Sequence, residues 1–193
     1  MDRRIVRTRK ALRDALIRLS LERDYEKLTI RAVTAAAGIS YVTFFRHYKS
    51  LDDIVEEIFT AAAKDMVQIA IDEETLNDIT RALWKFVDEN QALYRMYVNL
   101  PQEHRAREIV SRELEKLMRA SYEKRNASPV PLTVSMTHII ESSYQLLVEY
   151  LERTDEYRPE QMAAIQKDLI IRPAESTAVA LREEWLRQNP TYR

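Results

Sequence analysis

From Thr8 onward, Ala11, Leu12, Ala15, Leu16 and Leu19 recur at three- and four-residue intervals, with arginines between them. That spacing gathers the apolar side chains into one helical stripe and leaves the cations on the other faces. A first helix is therefore predicted, stopping near Glu22-Arg23-Asp24, with Asp24 as the residue that tolerates left-handed geometry. Thr29 is placed to cap a short second helix, Ile30 to Ala37, with Ile30, Val33 and Ala37 facing inward. Gly38 follows where a positive φ turns the chain sharply, Ile39 supplies an apolar plug, and Ser40 caps a third helix. In that helix Phe44 and Tyr48 share an inward face, whereas Tyr41, Val42, Thr43, Phe45, Arg46 and His47 point largely outward. Ser50 with Asp53 forms a capping box for a long fourth helix, from Leu51 to about Ile71.

The helical period continues beyond it. Segments are predicted at Thr75 to Glu89, Ala92 to Leu100, Gln102 to Lys124, Pro131 to Glu152, Pro159 to Ile171 and Ala174 to Gln188. Breaks fall near Asp72, Asn90, Pro101, Asn126 to Pro129, Asp155 and Pro173. Composition agrees: one glycine and six prolines in 193 residues leave no room for a sheet with many turns. The expected fold is all-α, with a three-helix unit over residues 1–50 joined through the fourth helix to a helical bundle over 51–193. No apolar run approaches the roughly 20 residues a membrane span needs, and MDRRIVRTRK does not lead into a signal-peptide stretch. The absence of cysteine removes disulfides, thiolate nucleophiles and cysteine metal sites together. A cytoplasmic address without membrane partners is expected.

Charge separates the two parts. Residues 1–50 carry 12 Lys/Arg against 5 Asp/Glu, and the remainder carries 18 against 26. A basic module on a larger acidic body is expected where one part meets a polyanion and the other does not. Helix, tight glycine turn, helix is a helix-turn-helix. The exposed aromatic, hydroxyl and basic side chains of "AGISYVTFFRHYKS" suit bases and phosphates better than they suit water.

The stretch "TRKALRDALIRLSLERDYEKLTIRAVTAAAGISYVTFFRHYKSLDDI" resembles, in spacing as well as residue type, the tetracycline-repressor (TetR) family of bacterial regulators. The resemblance covers about the first quarter of the chain; farther on only helix count and order are similar. It implies a DNA-binding head, a variable ligand-binding body, a homodimer, and repression that a small molecule relieves. By the same resemblance Thr29 is a phosphate contact, Tyr41, Val42 and Thr43 are groove contacts, and His47 and Lys49 are phosphate contacts; Ser40 belongs to the same surface. Three positions depart from the family pattern. Asp24 replaces a glycine, Thr34 replaces a small alanine, and Phe45 replaces a tyrosine, so that Arg46 is expected to take over the missing phosphate contact.

In the body, Trp84, Phe86, Tyr94, Met96 and Tyr97 crowd the fifth and sixth helices, with Met66 and Tyr144 able to join them. Such side chains line an adaptable apolar cavity, or simply pack a core. Apart from Phe86, they are the candidate contacts to a small apolar or amphipathic effector. His104 and His138 make a weak metal constellation, and a solvated or pocket-edge role is expected for both, with no metal and no cofactor. No catalytic triad, phosphate-binding glycine loop or close pair of acids emerges, so an enzyme is not expected. The expected function is a ligand-responsive, sequence-specific DNA-binding regulator acting on a palindromic operator. The alternative on this fold is a protein-binding coactivator, which predicts a degraded recognition helix. The stripe Ile139, Ile140, Ser143, Leu146, Leu147, Tyr150 and Leu151, with Val179, Leu181, Trp185 and Leu186 of the last helix, is expected to form the dimer.

Overall fold

The computed structural model describes residues 3–124 and 132–189, and every regular element among them is helical. In order these are α1 (Arg3–Glu22), a 3₁₀ turn (Tyr25–Lys27), α2 (Ile30–Ala37), α3 (Tyr41–Phe44), α4 (Leu51–Asp72), α5 (Leu76–Glu89), α6 (Gln91–Val98), α7 (Arg105–Lys124), α8 (Leu132–Glu152), α9 (Pro159–Ile165), a π-helical stretch (Gln166–Ile171) and α10 (Arg172–Gln188). The expected break at Asn126 to Pro129, and Pro131 as the start of the next helix, lie outside the described residues. The chain packs as two units, Met1–Lys64 with Asn90–Val110, and Asp65–Glu89 with Ser111–Arg193. Residue 50, where the sequence suggests a boundary, falls inside the first of them.

Local chemistry accounts for the first unit's corners. Asp24 has φ −54° and ψ 135°, so the first connection is not left-handed as expected. The 3₁₀ turn makes the corner instead: the Lys27 amide donates to the Asp24 carbonyl at 3.0 Å, and the Leu28 amide to that of Tyr25 at 3.0 Å. Thr34 is buried, and its hydroxyl is satisfied by the Ile30 and Arg31 carbonyls at 2.8 and 3.1 Å. Gly38 has φ 67° and ψ 28°. Its amide meets the Ala35 carbonyl at 3.2 Å while that of Ile39 reaches Thr34 at 2.9 Å, the paired bonds that close a helix through a left-handed residue. α1 begins at Arg3, earlier than Thr8, because arginine is a good helix former and no breaker precedes it.

Leu12, Leu16, Val33, Phe44, Ile54 and Val55 are fully buried in the first unit. At its edge the Arg9 Nε donates to the Tyr48 hydroxyl at 3.0 Å and the same guanidinium pairs with Glu57, which Arg13 also reaches at 3.3 Å. α1 is thereby tied to the residue that ends the helix-turn-helix and to α4. At the α6–α7 corner, Arg107 donates to the carbonyls of Val98, Leu100 and Pro101 at 3.3, 2.9 and 3.2 Å, which closes the end of α6.

In the second unit Trp84 and Tyr150 meet edge to face, with centroids 5.3 Å apart. Both carry a polar atom inside, and both are satisfied: the Tyr150 hydroxyl donates to Asp88 at 2.5 Å, and the Trp84 Nε1 donates to the Gln166 Oε1 at 2.9 Å. Gln166 passes the chain on to the Ser143 hydroxyl at 2.9 Å. Burial and the Asp88 carboxylate together hold the Tyr150 phenol in its protonated form, well above its ordinary value. The break expected at Pro173 is absent, because that proline falls in the first turn of α10 directly after the π stretch. The backbone there is already wound wide, so the ring and the missing N–H are accommodated.

Gly38 has nothing within 4 Å of where a Cβ would stand, so backbone strain alone opposes substitution. Gly38→Ala is expected to lower stability by about 1–2 kcal/mol without repacking the core. Urea unfolding of the two proteins with unchanged m-value checks this.

Candidate nucleic-acid interface

A four-residue α-helix carries little stability of its own. α3 is held from both ends and from below. At its start the Ser40 hydroxyl accepts the Thr43 amide at 3.1 Å and lies 2.7 Å from the Thr43 hydroxyl. At its end the chain continues as turns, with the His47 and Tyr48 amides donating to the Phe44 carbonyl at 2.8 and 3.0 Å. The third helix is therefore shorter than the sequence suggests, although the turns carry the same winding to Tyr48. Underneath, Phe44 and Tyr48 are buried, as their shared face requires.

That anchoring fixes what faces out. Tyr41, Val42, Phe45, Arg46 and Lys49 are exposed, Val42 at 67%. Phe45 packs edge-on against both Tyr41 and Phe44, at 5.1 and 5.2 Å between centroids, and remains half exposed, so it stiffens the surface as well as contributing to it. Thr43 and His47 are partly buried. Lys49 donates its amide to Asp53 at 2.7 Å, which leaves the ammonium free to reach outward and draws the Asp53 carboxyl below its usual range. Thr29 caps α2 by accepting the Ala32 amide at 3.2 Å, and is exposed.

One neighbour escaped the sequence reading. The Arg31 guanidinium stands 5.8 Å from the centre of the Tyr41 ring, at the outer limit of cation–π contact, and is exposed. Its signal in the sequence is a cation in the first turn of α2, where the helix dipole disfavours positive charge. Arg31, Tyr41 and Phe45 therefore form a cationic and aromatic row, and Val42 and Arg46 are exposed as well.

The candidate effector contacts are divided. Tyr94, Met96 and Tyr97 are buried in the first unit, where Tyr97 packs against Phe59 at 5.1 Å. Met66, Trp84 and Tyr144 belong to the second, Trp84 within the hydrogen-bond chain just described. The solvated role expected of His104 is corrected: its side chain is only 8% exposed and bonds to Asp52 and to the Ala106 amide. His138 is exposed, 3.4 Å from the Ser142 hydroxyl, on the rim of an open groove of about 420 Å³. Among the described residues no group of His, Asp and Glu side chains is arranged to hold a metal ion, and no helix is long and apolar enough to cross a membrane.

This geometry defines a helix-turn-helix protein. Residues 12–58 match the tetR family of bacterial regulatory proteins. A Bacillus subtilis protein named as the uncharacterized HTH-type transcriptional regulator YxbF is 31% identical over 68 residues, which span 35% of this chain and only 18% of that protein. Similar solved structures include a TetR-family regulator from Syntrophomonas wolfei, with a TM-score of 0.70 at 15% identity, covering 89% of this chain and 95% of that one. Another is FadR of Bacillus subtilis in complex with stearoyl-CoA, with a TM-score of 0.66 at 12% identity, covering 84% and 97%. At these identities the likeness is one of fold.

Ser40 supports α3 whatever else it touches. Ser40→Ala is expected to destabilise the protein by about 1 kcal/mol in the absence of any ligand. Thermal unfolding shows whether that loss is present.

Proposed function

We propose that the protein is a sequence-specific DNA-binding regulator, a repressor that a small apolar or amphipathic molecule releases from a palindromic operator. The observation that carries this reading is the row of outward aromatic, hydroxyl and basic side chains on α3 and the turns that continue it, held by the buried Phe44 and Tyr48 beneath. Tyr41, Val42 and Thr43 are the readers of base edges and thymine methyls, and Arg31 joins them. Thr29, Ser40, Arg46, His47 and Lys49 position the head on the phosphates, and Phe45 stiffens the surface between them and joins it by apolar contact.

A palindromic site calls for a two-fold dimer. The groove supports one: Leu146 of α8 and Ile165, Leu169 and Ile170 beyond it line an open apolar surface, and Leu169 is 70% exposed. Val134, Val179 and Leu181 add further exposed apolar area on α8 and α10. Leu147, in contrast, is 9% exposed within its own unit, so its face of the stripe is core rather than interface. Met66, Trp84, Tyr94, Met96, Tyr97 and Tyr144 are the proposed effector contacts, each within the unit that holds it. The stearoyl-CoA bound by the B. subtilis FadR is an amphipathic molecule of the kind this reading calls for, and makes a sensible first probe. Effector and DNA oppose one another reciprocally, since a ligand shifts only equilibria between states it binds differently.

Two expected outcomes check the reading. Lys49→Ala weakens operator and scrambled duplexes alike and flattens the dependence of log K on log salt by about 0.9 per contact, nearly 2 in a dimer. Tyr41→Ala and Thr43→Ala weaken operator more than scrambled DNA, by about 1–3 kcal/mol per good contact, with little change in slope. Titrations at several salt concentrations separate the two patterns, and equal losses on both duplexes for the Tyr41 and Thr43 variants contradict their role as readers. For the dimer, Leu169→Glu is expected to give a folded monomer in sedimentation, whereas Leu147→Glu unfolds the protein by burying a charge.

A further inference from the structure

Three segments that are far apart in the chain meet at one carboxylate oxygen. The Tyr25 hydroxyl, in the turn between α1 and α2, donates to the Asp52 Oδ1. His104 Nε2, at the α6–α7 corner, lies 3.3 Å from the same oxygen. Its other ring nitrogen, Nδ1, accepts the amide of Ala106 at 3.1 Å, so His104 caps the first turn of α7 through its side chain. The tautomer follows. A nitrogen that accepts carries no proton, so the ring proton sits on Nε2 and points at Asp52. The Tyr25 ring stands perpendicular to the imidazole with centroids 5.4 Å apart, and burial, with the Asp52 carboxylate, keeps its phenol protonated and able to donate.

Both ring nitrogens are thus committed, one to α7 and one to the carboxylate that also holds the α1–α2 turn. We propose that His104 is a latch, a positioning residue through which the state of the first turn of α7 is passed to the α1–α2 corner of the DNA-reading head. A shift of that turn moves Nδ1 with the Ala106 amide and carries Nε2 off Asp52, since the ring is rigid. At 3.3 Å the contact to Asp52 is already long, so a small further displacement breaks it. Asp52 is 61% exposed, so water replaces the lost donor at little cost. The latch is therefore worth no more than about one net hydrogen bond, small enough for the corner to open and close. This inference rests on the DNA-binding reading for its consequence, though not for its geometry.

The test uses the full-length protein without effector. His104→Asn keeps an acceptor that caps α7, while its side chain is too short to reach Asp52. Tyr25→Phe removes the other donor, and Arg105→Ala, which deletes the neighbouring exposed pair with Glu56 at 3.5 Å, serves as the control. Hydrogen exchange is expected to quicken about tenfold at residues 25–28 and 51–53 in both His104→Asn and Tyr25→Phe, the effect of one net hydrogen bond. The first amides of α7 stay protected in His104→Asn, and the Arg105 variant matches wild type. Operator affinity falls by similar factors in the two single variants and no further in the double variant. Exchange at residues 25–28 within twofold of wild type in His104→Asn, or losses of affinity that multiply in the double variant, would overturn the latch. A wild-type protein that binds no duplex sinks the DNA reading instead, and leaves the exchange measurement to judge the latch.

Discussion

The burial of Phe44 beneath a helix of only four residues is the contact on which the candidate interface depends. α3 is too short to hold its direction by backbone hydrogen bonds alone. Its orientation comes from the left-handed turn at Gly38, the Ser40 cap, the packing of α3 on α2 and the burial of Phe44 and Tyr48. Arg9 then fastens Tyr48 from above, bridging it to Glu57. Once Phe44 points inward, the winding sends Tyr41, Val42, Phe45 and Arg46 outward together. Exposed apolar rings on a surface with no fold to support are a liability in water, and an asset where a groove of bases is to cover them.

Much of this was legible because it is local. Thr29, Gly38, Ser40 and the Ser50–Asp53 pair act on amides within a few residues, so the sequence places each of them correctly as a cap or turn. The inward pair Phe44 and Tyr48 follows from spacing alone. What failed is tertiary. Nothing local says that Asp24 precedes a 3₁₀ turn rather than a left-handed stop, that α6 and the start of α7 pack in the same unit as the helix-turn-helix, or that His104 finds Asp52 from 52 residues away. The apolar stripe of α8 shows the same limit. Its period is plain, but a stripe does not say which side meets the protein's own core, and Leu147 proved to be inside.

The second unit combines a packed aromatic core with a polar chain running through it, from Ser143 through Gln166 to Trp84, and beside it Tyr150 with Asp88. Such chains are favourable only while every member is satisfied. The π stretch opening at Gln166 lies on this chain, where one extra residue per turn brings the amide to Trp84 and lets the helix run on past Pro173. A bundle with these buried polar atoms has specific requirements for anything that enters it: an incoming molecule must replace the bonds it breaks. Sequence could name the aromatic residues, but not the partners that decide which ligands are tolerated.

The central claim is that the outward face of α3 meets DNA. The most direct measurement is a map of amide and side-chain chemical shifts of the labelled protein, taken with a duplex carrying the DNA upstream of its own reading frame and with a scrambled duplex. The account expects the perturbations specific to the first duplex to concentrate at Arg31 and residues 41–43, and those shared by both at Thr29, Arg46, His47 and Lys49. Perturbations confined to residues 65–89 and 132–189, with the α3 surface silent, would contradict it.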